Sequence, residues 1–226
     1  MSTKGRLLRL LSSLVLAEGE VVAVRAFGSN LRLVQLRAKG SGGGWQPGDK
    51  LQLLLPEDEV RTFTPLHWDA AGSTALLVYT HGDGPAARWA PLLAEGQRLR
   101  FVGPSRSLTM PDGPITLIGD ETSLAVAASY ARARPGKVRA IFEVAAEPAL
   151  GEALHAVGLE QAMVVHREPG APRGQALAND LPELQGPIGI TGGADLIQSV
   201  RTRLRERGLR DTTTKAYWVQ GRTGLD

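Results

Sequence analysis

Val60, Thr62 and Thr64 alternate with Arg61 and Phe63, just after an apolar run (residues 51–55) and the turn Pro56-Glu57-Asp58-Glu59. Alternation with period two predicts a strand with two distinct faces, one of which carries Arg61 and Phe63. Pro65 is next on that face; it cannot donate to a ladder, which marks a strand edge or a bend. Similar short runs predict strands over residues 20–25, 31–37, 50–55, 74–80 and 98–102. Six short strands spaced by about ten residues predict a small antiparallel barrel.

The pattern changes in the turn-rich stretch 103–114, where a domain boundary is placed. Residues 115–118 are a continuous apolar run, the signature of a strand buried on both faces. A helix over 123–134, ended by Pro135-Gly136, and a strand over 137–144 complete a βαβ unit. A helix over 152–157, strands over 162–166 and 188–191, a helix from Asp195 to Arg207 capped by Asp195, and a last strand over 216–219 extend it. The second half therefore reads as an open α/β sheet. At the other end, Leu7, Leu8, Leu11, Leu14 and Val15 fall on one helical face, interrupted by Arg9. That pattern predicts an amphipathic N-terminal helix that packs on the body or on a partner. The predicted organisation is a helix over 1–19, a barrel over 20–110 and an α/β domain over 111–226.

The chain has 226 residues, 26 basic against 23 acidic, for a net charge of +3. That balance is too mild to argue for nucleic-acid binding. No stretch approaches the roughly 18 apolar residues of a membrane span, so the cytoplasm is the default compartment. There is no cysteine, which excludes disulfides, thiolate metal sites, iron–sulfur clusters and cysteine nucleophiles. Redox chemistry would need a bound cofactor. The four histidines, His67, His81, His155 and His166, form no metal-ligand pattern.

The Arg61 strand carries the most suggestive chemistry. A guanidinium can hold a phosphate through two parallel hydrogen bonds. An aromatic ring two residues on, roughly 7 Å along a strand, can lie against a heterocycle attached to that phosphate. Thr64 is placed to hydrogen-bond the heterocycle's edge. An exposed Arg and a core Phe on an ordinary strand would give the same four residues. A second candidate is His81-Gly82-Asp83-Gly84-Pro85-Ala86-Ala87-Arg88-Trp89-Ala90. Its glycines allow close backbone approach, Pro85 suits a first helical turn, and helix-start amides can bind an anion. A plain connecting loop is the alternative. After residue 118 the chain offers Asp120 and Glu121 where a dinucleotide fold would place glycines. Those carboxylates suit a helix N-terminus and repel a pyrophosphate there. Arg201, Arg203, Arg205, Arg207 and Arg210 spread around a helix and read as solvated surface. Lys215 and Arg222 flank Tyr217-Trp218; these four either line a pocket for an anionic substrate or decorate a plain strand.

Taken together, these residues resemble a known family. Arg61-Thr62-Phe63-Thr64 is similar to the Arg-x-Tyr-Thr flavin motif of ferredoxin-reductase-like proteins. Residues 80–90, with Gly119-Asp120-Glu121-Thr122-Ser123-Leu124 and the closing 206–209 and 216–221, resemble the siderophore-interacting proteins. The resemblance implies a flavin-binding barrel, FAD as cofactor, and reduction of ferric siderophores to Fe(II) in the cytoplasm. It places Arg61 on the FAD diphosphate, Phe63 on the isoalloxazine, and Thr64 and Pro65 beside it. His81, Gly82, Gly84, Pro85, Ala86 and Ala87 would cradle phosphate, and Trp89 would buttress that turn. Asp120, Glu121 and Thr122 would border the flavin from the second domain.

The chain also departs from the family. Phe63 replaces the usual Tyr, Leu66 stands where Arg is common, and Ala87 where Ser is common. Gly193 sits where a Glu is usual, and Val219 and Gln220 replace basic residues. At roughly 0.5–3 kcal/mol per lost hydrogen bond, two or three such changes weaken cofactor affinity severalfold or more.

The expected function is an FAD-dependent ferric-siderophore reductase with NAD(P)H or reduced ferredoxin as donor and no catalytic acid or base. The alternatives are a flavin- or siderophore-binding module without turnover, and an NAD(P)H:flavin reductase. Expected partners are a ferric siderophore or other ferric chelate, with a ferredoxin as a candidate donor and the N-terminal helix as a candidate oligomer contact.

Overall fold

The computed structural model describes residues 16–38, 43–80, 82–184 and 186–221. It divides into two compact units, Met1–Ser107 and Leu108–Asp226.

The first unit contains β1 (Ala17–Phe27), β2 (Leu31–Arg37), β3 (Lys50–Leu54), β4 (Val60–Phe63), β5 (Pro65–Trp68), β6 (Ser73–Tyr79) and β7 (Arg98–Ser105). They form one seven-stranded sheet in the order β4-β3-β7-β1-β2-β6-β5, every neighbouring pair antiparallel. The sequence predicted six strands. The seventh arises at Pro65, whose missing N–H breaks the ladder at Thr64 and lets residues 65–68 form a separate strand. Pro65 now lies opposite Leu76 and Trp68 opposite Thr74. The terminal strands β4 and β5 are consecutive in the chain with only Thr64 between them, so the sheet curls until its ends meet.

The inner face buries Val34, Leu51, Leu53, Leu76, Val78 and Phe101 in one cluster with Trp89. A side chain buried this fully is worth about 1.5–3 kcal/mol. The Trp68 ring meets the Phe101 ring edge-on at 5.8 Å.

Between β6 and β7 lie α1 (Pro85–Trp89) and a 3-10 turn, Ala90–Leu92. The sequence pattern predicts one helix continuing over 86–93; Pro91 removes an amide donor and tightens the second part. The N-terminal helix expected over 1–19 falls mostly on residues 1–15, outside the described residues. Residues 17–19 are not helical: they open β1 and pair with β7, Ala17 opposite Phe101 and Gly19 opposite Leu99.

The second unit holds β8 (Ile115–Gly119), β9 (Val138–Val144), β10 (Met163–His166), β11 (Ile188–Gly193) and β12 (Thr212–Trp218). Their order is β10-β9-β8-β11-β12, and all pairs are parallel. Helices α2 (Leu124–Ala133), α3 (Leu150–Ala156), α4 (Gln175–Asn179) and α5 (Ala194–Glu206) connect them. All five residues of β8 are buried, as a central parallel strand requires. The chain winds from β8 out to β10, then returns to β11 on the other side of β8. The strand order thus reverses between β8 and β11, and open parallel sheets bind ligands at the carboxyl ends of such a pair.

Two local expectations are corrected here. The residue that caps α5 is Gly193, without a side-chain bond, and Asp195 lies in the first turn. The last strand starts at Thr212, because pairing with β11 supplies what its polar first half lacks. No helix among the described residues is long and apolar enough to cross a membrane.

Candidate functional site

In the first unit, β4 brings Arg61 opposite Leu53 and Phe63 opposite Leu51. Directly opposed residues of an antiparallel pair share a face, so Arg61 and Phe63 point to the core side of the sheet. Phe63 is half-buried and packs on the cluster. Its ring lies 5.9 Å from that of Trp89, tilted by 42°. Trp89 itself is only 5% exposed. This aromatic contact ties the Arg61 strand to the far end of α1. Thr64 is half-buried at the seam between β4 and β5, and Pro65 is buried.

Loop geometry before α1 leaves its backbone open. Gly82 has φ 58, a left-handed conformation that favours glycine, and a Cβ at Gly82 or Gly84 would meet nothing within 4 Å. The row of helix-start amides expected from the sequence is shorter than it looked. Pro85 has no N–H, and the amides of Ala87 and Arg88 donate to the Gly84 carbonyl at 3.0 and 3.2 Å. Of the first three helical residues, only Ala86 has an N–H not turned to that oxygen. Leu66, where a polar contact was noted as missing, is buried at 6% exposure. His81 lies outside the described residues.

The β3–β4 turn was read only as a turn, but it contributes charge directly beside Arg61. Glu57 and Asp58 adopt φ 62 and 59, a conformation uncommon outside glycine. Glu59 accepts a hydrogen bond from the Arg61 guanidinium at 3.0 Å, with the two side chains only 16% and 20% exposed. The same nitrogen donates to the Val60 carbonyl at 2.7 Å. Glu57 approaches Arg88 of α1 at 4.0 Å. A signal for Glu59 was present in the sequence: on an extended strand, residues two apart share a face.

The residues of this unit suit a nucleotide diphosphate: it holds a part-buried guanidinium, an open glycine turn and a half-buried aromatic ring, with a carboxylate on one guanidinium nitrogen.

In the second unit, the carboxyl ends of β8 and β11 are filled by the chain itself. Asp120 is fully buried. One oxygen accepts from the Thr122 amide at 2.9 Å and from the Thr122 hydroxyl. The other accepts from the Gly193 amide at 2.8 Å and Trp218 Nε1 at 3.1 Å. With the Ser123 hydroxyl bonded back to the Asp120 amide, this is a capping box at the turn into α2. Burial pushes the Asp120 carboxyl above its ordinary value of 3.8; the hydrogen bond from the Thr122 side chain pulls the other way, and the Glu121 charge raises it further. A bulge between the Gly192–Ala216 and Gly193–Trp218 pairs re-aims the end of β12, and the Trp218 ring lies over Gly193. A Cβ on Gly193 would come within 2.5 Å of that ring.

Glu121, also buried, accepts from the Ala145 amide at 2.7 Å and from Arg167 at 3.2 Å, and lies 3.8 Å from Arg173. The Arg173 guanidinium sits 4.4 Å from the centre of the Trp218 ring. Arg167, Arg173 and Glu143 complete this network; the two arginines lie in the connection between β10 and α4 and carry no motif in the sequence. Of residues 120–122, Thr122 alone is half-exposed. Lys215 and Tyr217 are half-buried on β12, Trp218 is held by Asp120 and Arg173, and Arg222 lies outside the described residues.

Residues 55–108 match the model of the siderophore-interacting FAD-binding domain. Among solved structures, a siderophore utilization protein from T. fusca is 27% identical, over 93% of this chain and 95% of that one, with a TM-score of 0.72. The siderophore-interacting protein SipS from Aeromonas hydrophila is 20% identical over 92% and 93%, TM-score 0.68. A ferredoxin reductase of carbazole 1,9a-dioxygenase is 20% identical over 90% and 69%, TM-score 0.72; at that identity the likeness of these last two is one of fold. A search of curated proteins found no match. The resemblance to siderophore-interacting proteins and the ferredoxin-reductase-like architecture read from the sequence hold, and FAD is the cofactor that the matched domain takes.

Proposed function

We propose that this chain is a flavin-dependent oxidoreductase that reduces ferric siderophores and releases Fe(II). Siderophore-interacting FAD-binding residues in its first unit and the ferredoxin-reductase-like fold support that reading. The observation that carries it is the Phe63–Trp89 contact. It joins the guanidinium strand to the helix that follows the open glycine turn, inside the stretch that matches the FAD domain.

In this reading Arg61 holds the diphosphate, and the open backbone at Gly82 and Gly84 lets phosphate oxygens approach. Trp89 fixes the Phe63 ring so that its exposed side lies flat against the flavin. Thr64, at the barrel seam, hydrogen-bonds the flavin edge. Within the second unit Thr122 is the member of the 120–122 triplet with surface to offer a ligand, because Asp120 and Glu121 are spent on the chain's own donors. When bound, FAD relays electrons from the donor to Fe(III). Reduction weakens the hold of hard oxygen ligands on the iron, and no side chain needs to transfer a proton.

The donor follows from the second unit. A dinucleotide laid over β8 and β11 would have to displace Trp218 from Gly193 and face the Asp120 carboxylate. That favours a one-electron protein donor of the ferredoxin type. The test is anaerobic: FAD-loaded protein with a ferric trihydroxamate or tris-catecholate and a ferrozine trap, supplied with reduced ferredoxin or with NADH. Ferrous colour with ferredoxin, and much slower colour with NADH, is expected. Stoichiometric chelate binding with no Fe(II) from either donor would make the chain a binding module and sink the reductase reading.

A further inference from the structure

We propose that Glu59 is an internal counter-ion that competes with the cofactor's diphosphate for Arg61, setting a weak, exchangeable hold on phosphorylated flavins. The inference rests on the reading that Arg61 binds the diphosphate, and goes beyond it by assigning a second residue that opposes binding.

Three observations carry it. Arg61 directs one guanidinium nitrogen to both the Glu59 carboxylate and the Val60 carbonyl, at 3.0 and 2.7 Å. The pair is largely withdrawn from water, at 20% and 16% exposure, so its attraction is screened less than that of a surface pair. The turn that delivers Glu59 is held in place: its amide reaches the Pro56 carbonyl at 3.4 Å and its carbonyl accepts from the Leu55 amide at 2.7 Å. The two residues before it adopt φ 62 and 59. A carboxylate fixed in this way holds one of the guanidinium nitrogens that a two-pronged phosphate contact would use.

Binding a diphosphate must therefore do two things. It must displace Glu59 from Arg61, and it must bring two negative phosphates beside a carboxylate that cannot retreat far. Both effects weaken FAD binding. Neither applies to riboflavin, which has the same ring and no phosphate. Glu59 thus narrows the preference for FAD over the unphosphorylated flavin and favours exchange of the cofactor.

The experiment measures dissociation constants of FAD and riboflavin by flavin fluorescence quenching, for the full chain and for Glu59→Gln, Arg61→Ala and the double variant. Circular dichroism checks that each is folded. Glu59→Gln is expected to tighten FAD about fivefold, the equivalent of about 1 kcal/mol, and to leave riboflavin within twofold. In the Arg61→Ala background the same substitution is expected to change FAD affinity by less than twofold. Unchanged or weaker FAD binding by Glu59→Gln overturns the proposal, since Glu59 then merely positions Arg61. So does an equal gain for riboflavin, or a full gain that persists without Arg61. If Arg61→Ala alone binds FAD as tightly as the parent, the fault lies with the diphosphate reading itself.

Discussion

Gly193→Ala probes the switch-point packing with a single methyl group. The backbone at Gly193 has φ −69 and ψ 145, which alanine adopts freely, so the substitution carries no backbone strain. By itself it should stabilise the chain by about 0.4–1 kcal/mol through the unfolded state. The added Cβ, however, would sit 2.5, 2.8 and 3.0 Å from three carbons of the Trp218 ring. Ordinary carbon contacts start near 3.5 Å, so the ring must retreat by about 1 Å. That retreat breaks the 3.1 Å bond from Nε1 to Asp120 and loosens the Arg173 stack. A hydrogen bond to a charged group is worth about 1.5–3 kcal/mol and an exposed cation–π contact about 0.5–1 kcal/mol. The net expectation is a loss of about 2 kcal/mol. Urea denaturation of the parent, Gly193→Ala, Trp218→Ala and the double variant gives the answer as a thermodynamic cycle. In the Trp218→Ala background Gly193→Ala should be neutral or slightly stabilising, so the coupling should be about 2 kcal/mol. Equal effects in both backgrounds, or a neutral single variant, would refute the packing argument.

Asp120 makes a pH prediction. Its folded-state carboxyl lies above 3.8, so the folded chain holds that proton more tightly than the unfolded chain does. The stabilisation this gives is fully present below the unfolded value and is lost as pH rises through the folded one. Compared with Asp120→Asn, the parent should therefore lose relative stability as pH rises from about 3.8 and level off beyond the raised value, as denaturation series at several pH values will show; a constant difference contradicts it. Glu143→Ala should cost about 3–5 kcal/mol, because it strips a partner from Arg167 and the acceptor from the amides of Gly174, which caps α4, and Leu177 within it. Hydrogen exchange should show peptides over 175–179 opening first, and unchanged protection there would speak against the cap.

Much of the architecture was legible because local pattern and tertiary context agree. The strand over 31–37 and the apolar run that became β8 were readable from their own side chains. The Asp120 turn was readable as a cap, since Ser123 and Thr122 lie within three residues. Two of the misses share a cause: partners far away in sequence. Helix α4 is nucleated by Glu143, whose oxygens accept from Gly174 and Leu177 at 2.7 and 3.1 Å across more than thirty residues. No local periodicity announces a helix capped from another strand. The first three threonines of β12 carry no apolar signal, and their strand state comes from β11. In the flavin stretch, Arg61, Phe63 and Trp89 stood out as residue types with a chemical use. Glu59 did not, because a carboxylate in a Pro-Glu-Asp-Glu turn looks like solvent-facing punctuation until its oxygen is found on the guanidinium.

The most direct test of the account is a titration of the purified chain and of Arg61→Ala with FAD, followed by flavin absorbance and fluorescence. The account predicts saturable one-to-one binding by the parent, and affinity weaker by about 10- to 100-fold in Arg61→Ala, the loss of one charge-assisted contact. A parent protein that leaves the FAD spectrum unchanged at high concentration, or an Arg61→Ala variant that binds equally well, would contradict it.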